Sequence, residues 1–273
     1  MGMPWIYQIP SPLLGGLIVA TFVGGGAGGL WLSRRLVRHP TTTHNDVAGF
    51  LYAVIGVIYA VLLGMTAVAA WDDFQSLKRT TIQESNALQN LVHGLAAFPE
   101  PGRSRLRDTT AAYVRSVVTD EWPAMHRAEP SPRTQEAAEV MIRTWVQVQP
   151  QTPGQTVHLE RSLHQLHGFL DQRQLRLDAA GEGLEPLMWA VLLFGAVLTI
   201  GFSFFFWTEN LGLHALMTCS LAALIAIIVY WIVIFDHPLW GYVRISPEPF
   251  TRILTQLEAQ GSPGLQEETG VRR

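Results

Sequence analysis

Long uncharged blocks alternate with polar segments along this chain of 273 residues. The first block runs from the N-terminus to Arg34, and the second fills the 25 positions between Asp46 and Asp72. Two more blocks follow Glu185 and Glu209. About 20 mostly apolar residues are enough to cross the hydrocarbon core of a bilayer. The pattern therefore predicts four transmembrane helices.

A polar insert separates the second predicted span from the third. Its apolar residues recur at alternating spacings of three and four, which is typical of amphipathic helices. Prolines at positions 99, 101, 123, 150 and 153 divide it into four helical segments. We predict an all-α membrane protein with a four-helix bundle inserted between spans two and three. The first helix of the insert is expected to continue the second span, and its fourth helix to continue into the third span. The predicted domains are a first transmembrane helix pair (1–71), the extramembrane bundle (72–185), a second transmembrane helix pair (186–235) and a partly disordered tail (236–273).

Composition supports this class and excludes several others. The chain is 48% hydrophobic and 15% charged, with a mean hydropathy of +0.20, whereas a soluble domain averages about 25% charged residues. A net charge of −3 argues against a nucleic-acid partner. The single cysteine, Cys219, excludes an intrachain disulfide and a multi-cysteine metal site. The sequence contains no catalytic or phosphate-binding motif, so we expect no enzyme activity, no cofactor and no metal.

The second predicted span carries three kinds of helix face. Large aliphatic residues on one face suit lipid. Small residues form a stripe that is typical of helix–helix packing, made of Gly49, Ala53, Gly56, Ala60, Gly64 and Ala67. Beside the stripe lies a row at seven-residue intervals, called the tyrosine row below and made of Tyr52, Tyr59, Thr66 and Asp73. Residues seven apart stay on one face of a helix, so this row predicts the lining of an ion path.

Two charged residues interrupt apolar seams of the insert. Glu84 lies on the seam of its first helix, and Arg173 lies on the seam of its fourth. A buried carboxylate without a partner is costly. Two alternatives follow from this cost: Glu84 and Arg173 form a salt bridge, or they line an aqueous vestibule.

Two motifs resemble the bacterial bestrophin-like domain family. The first is HNDVAGFLYAVIGVIYAVLLGMTAVAAWDDF with the E-x-N-A-L pattern that follows it, and the second is VVTDEWPAM at 117–125. The resemblance covers residues 44–235. It implies four spans with a helical insert and, because bestrophins are pentameric anion channels whose second helix lines the pore, an oligomeric ion channel. The acidic calcium clasp of bestrophins has no visible counterpart here, so calcium gating is not implied.

The sequence thus predicts a homo-oligomeric ion channel of a bacterial inner membrane, with lipid and inorganic ions as partners and anions among the candidate ions. A stator-like energy-coupling subunit and a non-conducting scaffold or sensor are the alternatives, since both can share this four-span plan. Arg34, Arg35 and Arg38 favour a cytoplasmic loop after the first span. The family resemblance instead places the insert and both termini in the cytoplasm, and we adopt that orientation.

Overall fold

The computed structural model of this protein describes residues 9–36, 45–127, 129–181, 183–206, 208, 210–239 and 243–261. Within these ranges the regular structure is helical and contains no strand, which confirms the predicted all-α class. Four helices are long and apolar enough to cross a membrane: α1 (Ser11–Leu36), α2 (Asn45–Gly94), α7 (Pro186–Phe202) and α8 (Leu211–Asp236). The other helices are α3 (Gly102–Ser116), α4 (Trp122–Met125), α5 (Pro132–Val146), α6 (Pro153–Ala180) and α9 (Glu248–Gly261).

The described residues divide into two compact units. The first unit draws on residues 1–75 and 182–244, and so holds α1, the first part of α2, α7 and α8. The second unit draws on residues 76–181 and 245–273, and so holds the rest of α2 together with α3 to α6 and α9.

The predicted tail contains a helix that the sequence analysis did not identify. Part of it forms α9, whose apolar residues Phe250, Ile253 and Leu257 are buried within the second unit. These three residues recur at spacings of three and four, which is the pattern of an amphipathic helix. The last predicted tail residues, 262–273, lie outside the described residues.

The helix α2 is a single element of 50 residues. At 1.5 Å per residue it is about 75 Å long, whereas the hydrocarbon core of a bilayer is about 30 Å thick. Only its uncharged part, up to Trp71, therefore fits inside the membrane, and the remainder continues beyond it. The predicted continuity of the second span with the first helix of the insert is confirmed.

The expected continuity between the fourth insert helix and the third span is wrong. The helix α6 ends at Ala180, and α7 begins only at Pro186. Proline suits the first position of a helix because it has no N–H to leave unpaired there. The connecting segment is held in place by the backbone N–H of Leu184, which donates to the carboxylate of Asp236 at 2.6 Å.

Glycines permit close helix approaches in the first unit. A Cβ atom at Gly29 would lie 2.6 Å from the ring of Phe204, and one at Gly195 would lie 2.5 Å from the ring of Tyr59. Both distances are shorter than any real carbon contact, so a side chain at either position would force the neighbouring ring away. Gly195 thus lets α7 pack directly against the aromatic face of α2.

Candidate functional site

Four charged side chains meet in the interior of the second unit. This charge cluster consists of Glu84, Glu121, Arg173 and Arg176. Their exposed fractions are 0%, 1%, 7% and 0%, respectively. Because charged groups are almost never fully buried unless they are paired, their mutual contacts decide what the cluster can do.

Arg176 is the centre of the charge cluster. Its Nε donates to Oε2 of Glu84 at 2.5 Å, and its Nη2 donates to Oε1 of Glu84 at 3.0 Å. The same Nη2 also donates to Oε1 of Glu121 at 2.6 Å, and Nη1 lies 2.7 Å from the sulfur of Met125. The two parallel bonds to Glu84 form the bidentate geometry that makes arginine–carboxylate pairs strong.

Arg173 pairs with the second carboxylate. Its Nη2 donates to Oε2 of Glu121 at 2.6 Å, and its Nη1 donates to Oε1 of Gln135 at 3.0 Å. The predicted pair of Glu84 with Arg173 is therefore wrong, because Arg176 takes that place. Residues three apart share a helix face, so Arg176 follows Arg173 on the same side of α6 and reaches the carboxylate that the sequence pattern assigned to Arg173. The vestibule alternative is also wrong for Glu84, which is fully buried.

The charges of the cluster balance one another. Although burial alone would lower the pKa of Arg176, the carboxylates of Glu84 and Glu121 hold it above its ordinary value. Burial raises the pKa of Glu84, which lies beyond the apolar part of α2, and Arg176 opposes that rise. Two hydrogen bonds from Arg176 favour the ionised form of Glu84. We therefore treat the cluster as two carboxylates neutralised by two guanidinium groups.

Glu121 reaches the cluster from a π-helical turn, Val117–Glu121, that joins α3 to α4. Such turns are rare and often occur at functional sites. The next residue, Trp122, donates its indole N–H to the carbonyl of Ile245 at 3.2 Å. The indole of Trp122 and the ring of Phe250 lie 5.1 and 5.7 Å from the guanidinium carbon of Arg176, within the range of cation–π attraction. The VVTDEWPAM motif thus places both a carboxylate and an aromatic ring around Arg176.

Tyr113 lies beside the cluster with a hydroxyl that is not hydrogen-bonded within the described part of the chain. The side chain is fully buried. Burial raises the pKa of Tyr113 well above its ordinary value, and the carboxylates of Glu84 and Glu121 raise it further. The hydroxyl therefore stays protonated and unpaired.

Replacing Tyr113 with phenylalanine is expected to raise the free energy of unfolding, because an unpaired buried hydroxyl costs about 1–3 kcal/mol. The matched control is Tyr59→Phe, which removes a hydroxyl that donates to the carbonyl of Leu192 at 3.1 Å and should lower stability by about 0.5–1.5 kcal/mol. Thermal unfolding of the two purified variants distinguishes them. A loss of stability in Tyr113→Phe would contradict the unpaired hydroxyl.

A cavity of about 360 Å³ reaches the charge cluster at Glu121 and Arg173. Its wall is mostly apolar and includes Met125 and Leu177. Arg173 is paired with Glu121, and Glu129, which also lines the wall, is paired with Arg127, so the wall offers no unpaired charge for an ion. Across the described ranges no group of three or more His, Cys, Asp or Glu side chains is placed to hold a metal.

The two tyrosines of the predicted path-lining row of α2 contact α7 in the structure. Tyr52 is half-buried, with its ring centroid 5.9 Å from that of Phe202. Tyr59 is 5% exposed, and Thr66 is 1% exposed, with its hydroxyl bonded to the carbonyl of the residue four positions earlier. Asp73 is the one exposed member of the row.

A lumen at the axis of an oligomer is bounded by side chains that the isolated subunit leaves exposed. Tyr59 and Thr66 do not meet this condition, so their assignment to an ion path is corrected by their packing. The seven-residue spacing correctly indicated one shared face, but spacing alone does not tell which neighbour that face meets. The predicted place of Asp73 along an ion path is not decided by its packing and stays a prediction.

The small-residue stripe is mostly open in the single chain. Ala53, Ala60 and Gly64 are exposed, and Gly49, Gly56 and Ala67 are half-buried. A Cβ atom at Gly56 or Gly64 would meet no atom within 4 Å. The stripe therefore does not serve as a tight contact between helices of one chain at these two glycines. Packing against a second copy remains a prediction.

The face of α2 opposite the tyrosine row is apolar and open. Its central row follows the same seven-residue spacing through Val54, Val61 and Val68, which are 44%, 56% and 59% exposed. This valine row drifts by only about 20° per step and so stays on one face. Sequence reasoning assigned this face to lipid.

Comparisons with known proteins connect these features to one family. The bestrophin-like domain matches residues 20–250, which include α2 and the VVTDEWPAM motif. A comparison of the chain with curated proteins found no significant match.

Solved structures share the fold. Three of them are variants of a bacterial bestrophin homologue from Klebsiella pneumoniae. The first is 12% identical, with 90% of this chain and 97% of that chain covered at a TM-score of 0.59. The second is 13% identical, with 89% and 99% covered at 0.60, and the third is 11% identical, with 89% and 97% covered at 0.62. Identities this low show similarity of fold alone.

Proposed function

Since this chain belongs to the bestrophin-like domain family, we propose that it assembles into a homo-oligomeric ion channel of a bacterial inner membrane. Four apolar helices of membrane-spanning length support the location. Membership of the bestrophin-like domain family supports the proposal of an ion channel. The proposed orientation has the insert and both termini in the cytoplasm.

The proposed ion path follows the valine row of α2. The carrying observation is the contrast in exposure along this helix: Val61 is 56% exposed, whereas Tyr59 and Thr66 are nearly fully buried. If α2 is innermost in the assembly, its most open face borders the lumen. A ring of valines would make an apolar constriction, which conducts when hydrated and closes by dewetting.

The small-residue stripe fits the same arrangement. It lies beside the valine row, and small residues let neighbouring helices approach closely. Open space at Gly56 and Gly64 leaves room for a helix from a second copy. The proposed assembly therefore has the stripe between subunits and the valine row towards the axis.

Small monovalent anions are the proposed substrate class. An unpaired carboxylate at Glu84 would repel anions, but Arg176 neutralises it. Asp73 is exposed but belongs to the row opposite the valines, so it is proposed to lie outside the constriction, where screening by water and salt weakens its field. The resemblance to bestrophins, which are anion channels, also favours anions.

The experiment is chloride flux from liposomes that contain the purified protein, compared with its Val61→Thr variant. Threonine has the shape of valine with one hydroxyl added, so it hydrates the constriction without widening it. Flux should increase several-fold in Val61→Thr. The matched control is Val197→Thr on α7, which is 71% exposed and is proposed to face lipid, and it should leave flux unchanged.

Reversal potentials in a salt gradient test the ion class in the same preparation. A cation-selective wild type would overturn the anion proposal alone. If the wild type conducts nothing under varied pH, calcium and voltage, the channel proposal fails and the scaffold or sensor alternative takes its place. Native mass measurement in mild detergent accompanies the flux assay, and a monomer there would contradict the assembly.

A further inference from the structure

Two adjacent arginines at the end of α1 have opposite surroundings. Arg34 turns inward, where its Nη2 donates to the carbonyl of Thr208 at 2.8 Å and lies 3.0 Å from Nδ1 of His214. Arg35 turns outward, and its guanidinium carbon lies 5.3 Å from the centroid of the Trp31 ring. Trp31 is 59% exposed. Arg34 therefore links the end of α1 to α8, whereas the side chains of Arg35 and Trp31 are exposed on the outer face of α1.

The charge of Arg35 is not neutralised by a carboxylate among the described residues. Stacking on an indole holds the guanidinium plane in position but leaves its N–H edge open. That edge matches two oxygens of a phosphate in a bidentate fork. Trp31 and Arg35 close an uncharged span, and tryptophan in this position sits at the level of the lipid headgroups.

On the N-terminal side of Trp31, the same face of α1 carries glycines instead of larger side chains. Gly28 and Gly24 follow Trp31 towards the N-terminus at spacings of three and four, and a Cβ atom at either glycine would meet no atom within 4 Å. From Arg35 to Gly24 the helix rises about 16 Å, close to the roughly 15 Å of half a hydrocarbon core. An acyl chain can therefore lie along the glycines while its headgroup reaches Arg35.

We propose that this face of α1 binds an anionic phospholipid, with the lipid phosphate on Arg35, the glycerol region against Trp31 and one acyl chain along Gly28 and Gly24. The charge on Arg35 selects an anionic lipid over a zwitterionic one, because a zwitterionic headgroup brings its own cation. This proposal does not depend on ion conduction and stands if the channel proposal fails.

Native mass spectrometry of the purified full chain tests the site, with phosphatidylglycerol and phosphatidylcholine of the same acyl composition offered in equal amounts. The wild-type protein should retain more phosphatidylglycerol than phosphatidylcholine. Arg35→Gln should remove that preference, and Trp31→Leu should weaken it. The matched control is Arg115→Gln, which changes an exposed arginine paired with Glu258 in the second unit and should keep the wild-type preference.

Three outcomes would overturn the proposal. An unchanged preference in Arg35→Gln, with the variant shown to be folded by its thermal unfolding, would place any lipid elsewhere. Loss of phosphatidylglycerol when inorganic phosphate is added at equal concentration would show that the site binds a free anion rather than a lipid. A Gly28→Leu variant should displace the acyl chain and reduce retention without changing the subunit number. A change in subunit number would instead assign the glycine face to a second copy.

Discussion

Replacing Arg176 with methionine is expected to lower the free energy of unfolding by about 3–5 kcal/mol, the cost of leaving a buried charge without its partner. Arg176 donates both bonds that hold Glu84 in the charge cluster and one of the bonds that hold Glu121. Methionine fills much of the volume but offers no donor, so Glu84 is left without a cation. The pKa of Glu84 then rises further, and the loss of stability should shrink as acid protonates the carboxyl.

The matched control is Arg173→Gln, which leaves Glu121 bonded to Arg176 and keeps a polar group near Gln135. It should cost clearly less than Arg176→Met. A double variant, Glu84→Gln with Arg176→Gln, removes both charges together and should recover part of the loss. Thermal unfolding in detergent across pH 4–8 measures these three variants and the exposed reference Arg115→Gln. A loss in Arg176→Met no larger than that of Arg115→Gln, an exposed pair worth under about 1 kcal/mol, would contradict the role of Arg176 as the centre of the cluster.

The four membrane-spanning helices could be predicted from the sequence because an uncharged block of sufficient length satisfies its backbone hydrogen bonds in a bilayer as a helix. The long extension of α2 could be predicted for a similar reason, since no residue between Val47 and Phe98 interrupts a helix. The separation of α6 from α7 was missed, although Gly181, Gly183 and Pro186 are signals for a helix end. The helix α9 was missed because its short apolar pattern lies next to a polar, turn-rich terminus.

The charge cluster shows what periodicity leaves undecided. Glu84 and Arg173 were identified because each interrupts an apolar seam, and both are in the cluster. The partner assignment failed because Arg176 lies three residues further along the same helix face, and sequence spacing does not distinguish the reach of two such arginines. The assignment of the tyrosine row to an ion path failed for the same reason. Residues at this spacing share one face whether that face meets a neighbouring helix or a lumen.

Attaching a charged group at Val61 is expected to abolish ion flux almost completely. In a background with Cys219→Ser, the variant Val61→Cys carries one thiol per subunit on the valine row. A charged, water-soluble thiol reagent reaches that thiol only if the row borders water. Each modified subunit then adds a bulky charge to the proposed constriction, so the effect multiplies around the ring.

Two matched positions accompany this variant. Thr66→Cys places a thiol on the tyrosine row, where the side chain is 1% exposed, and the reagent should leave its flux unchanged. Val197→Cys places a thiol on the open face of α7, where lipid should exclude a charged reagent. Each variant is first shown to conduct before the reagent is added.

The most direct test of the proposed ion path is therefore the flux remaining after thiol modification at Val61 relative to Thr66. The valine-row path predicts near-complete block at Val61→Cys and none at Thr66→Cys. Block at Thr66→Cys with unchanged flux at Val61→Cys would contradict it and return the path to the tyrosine row.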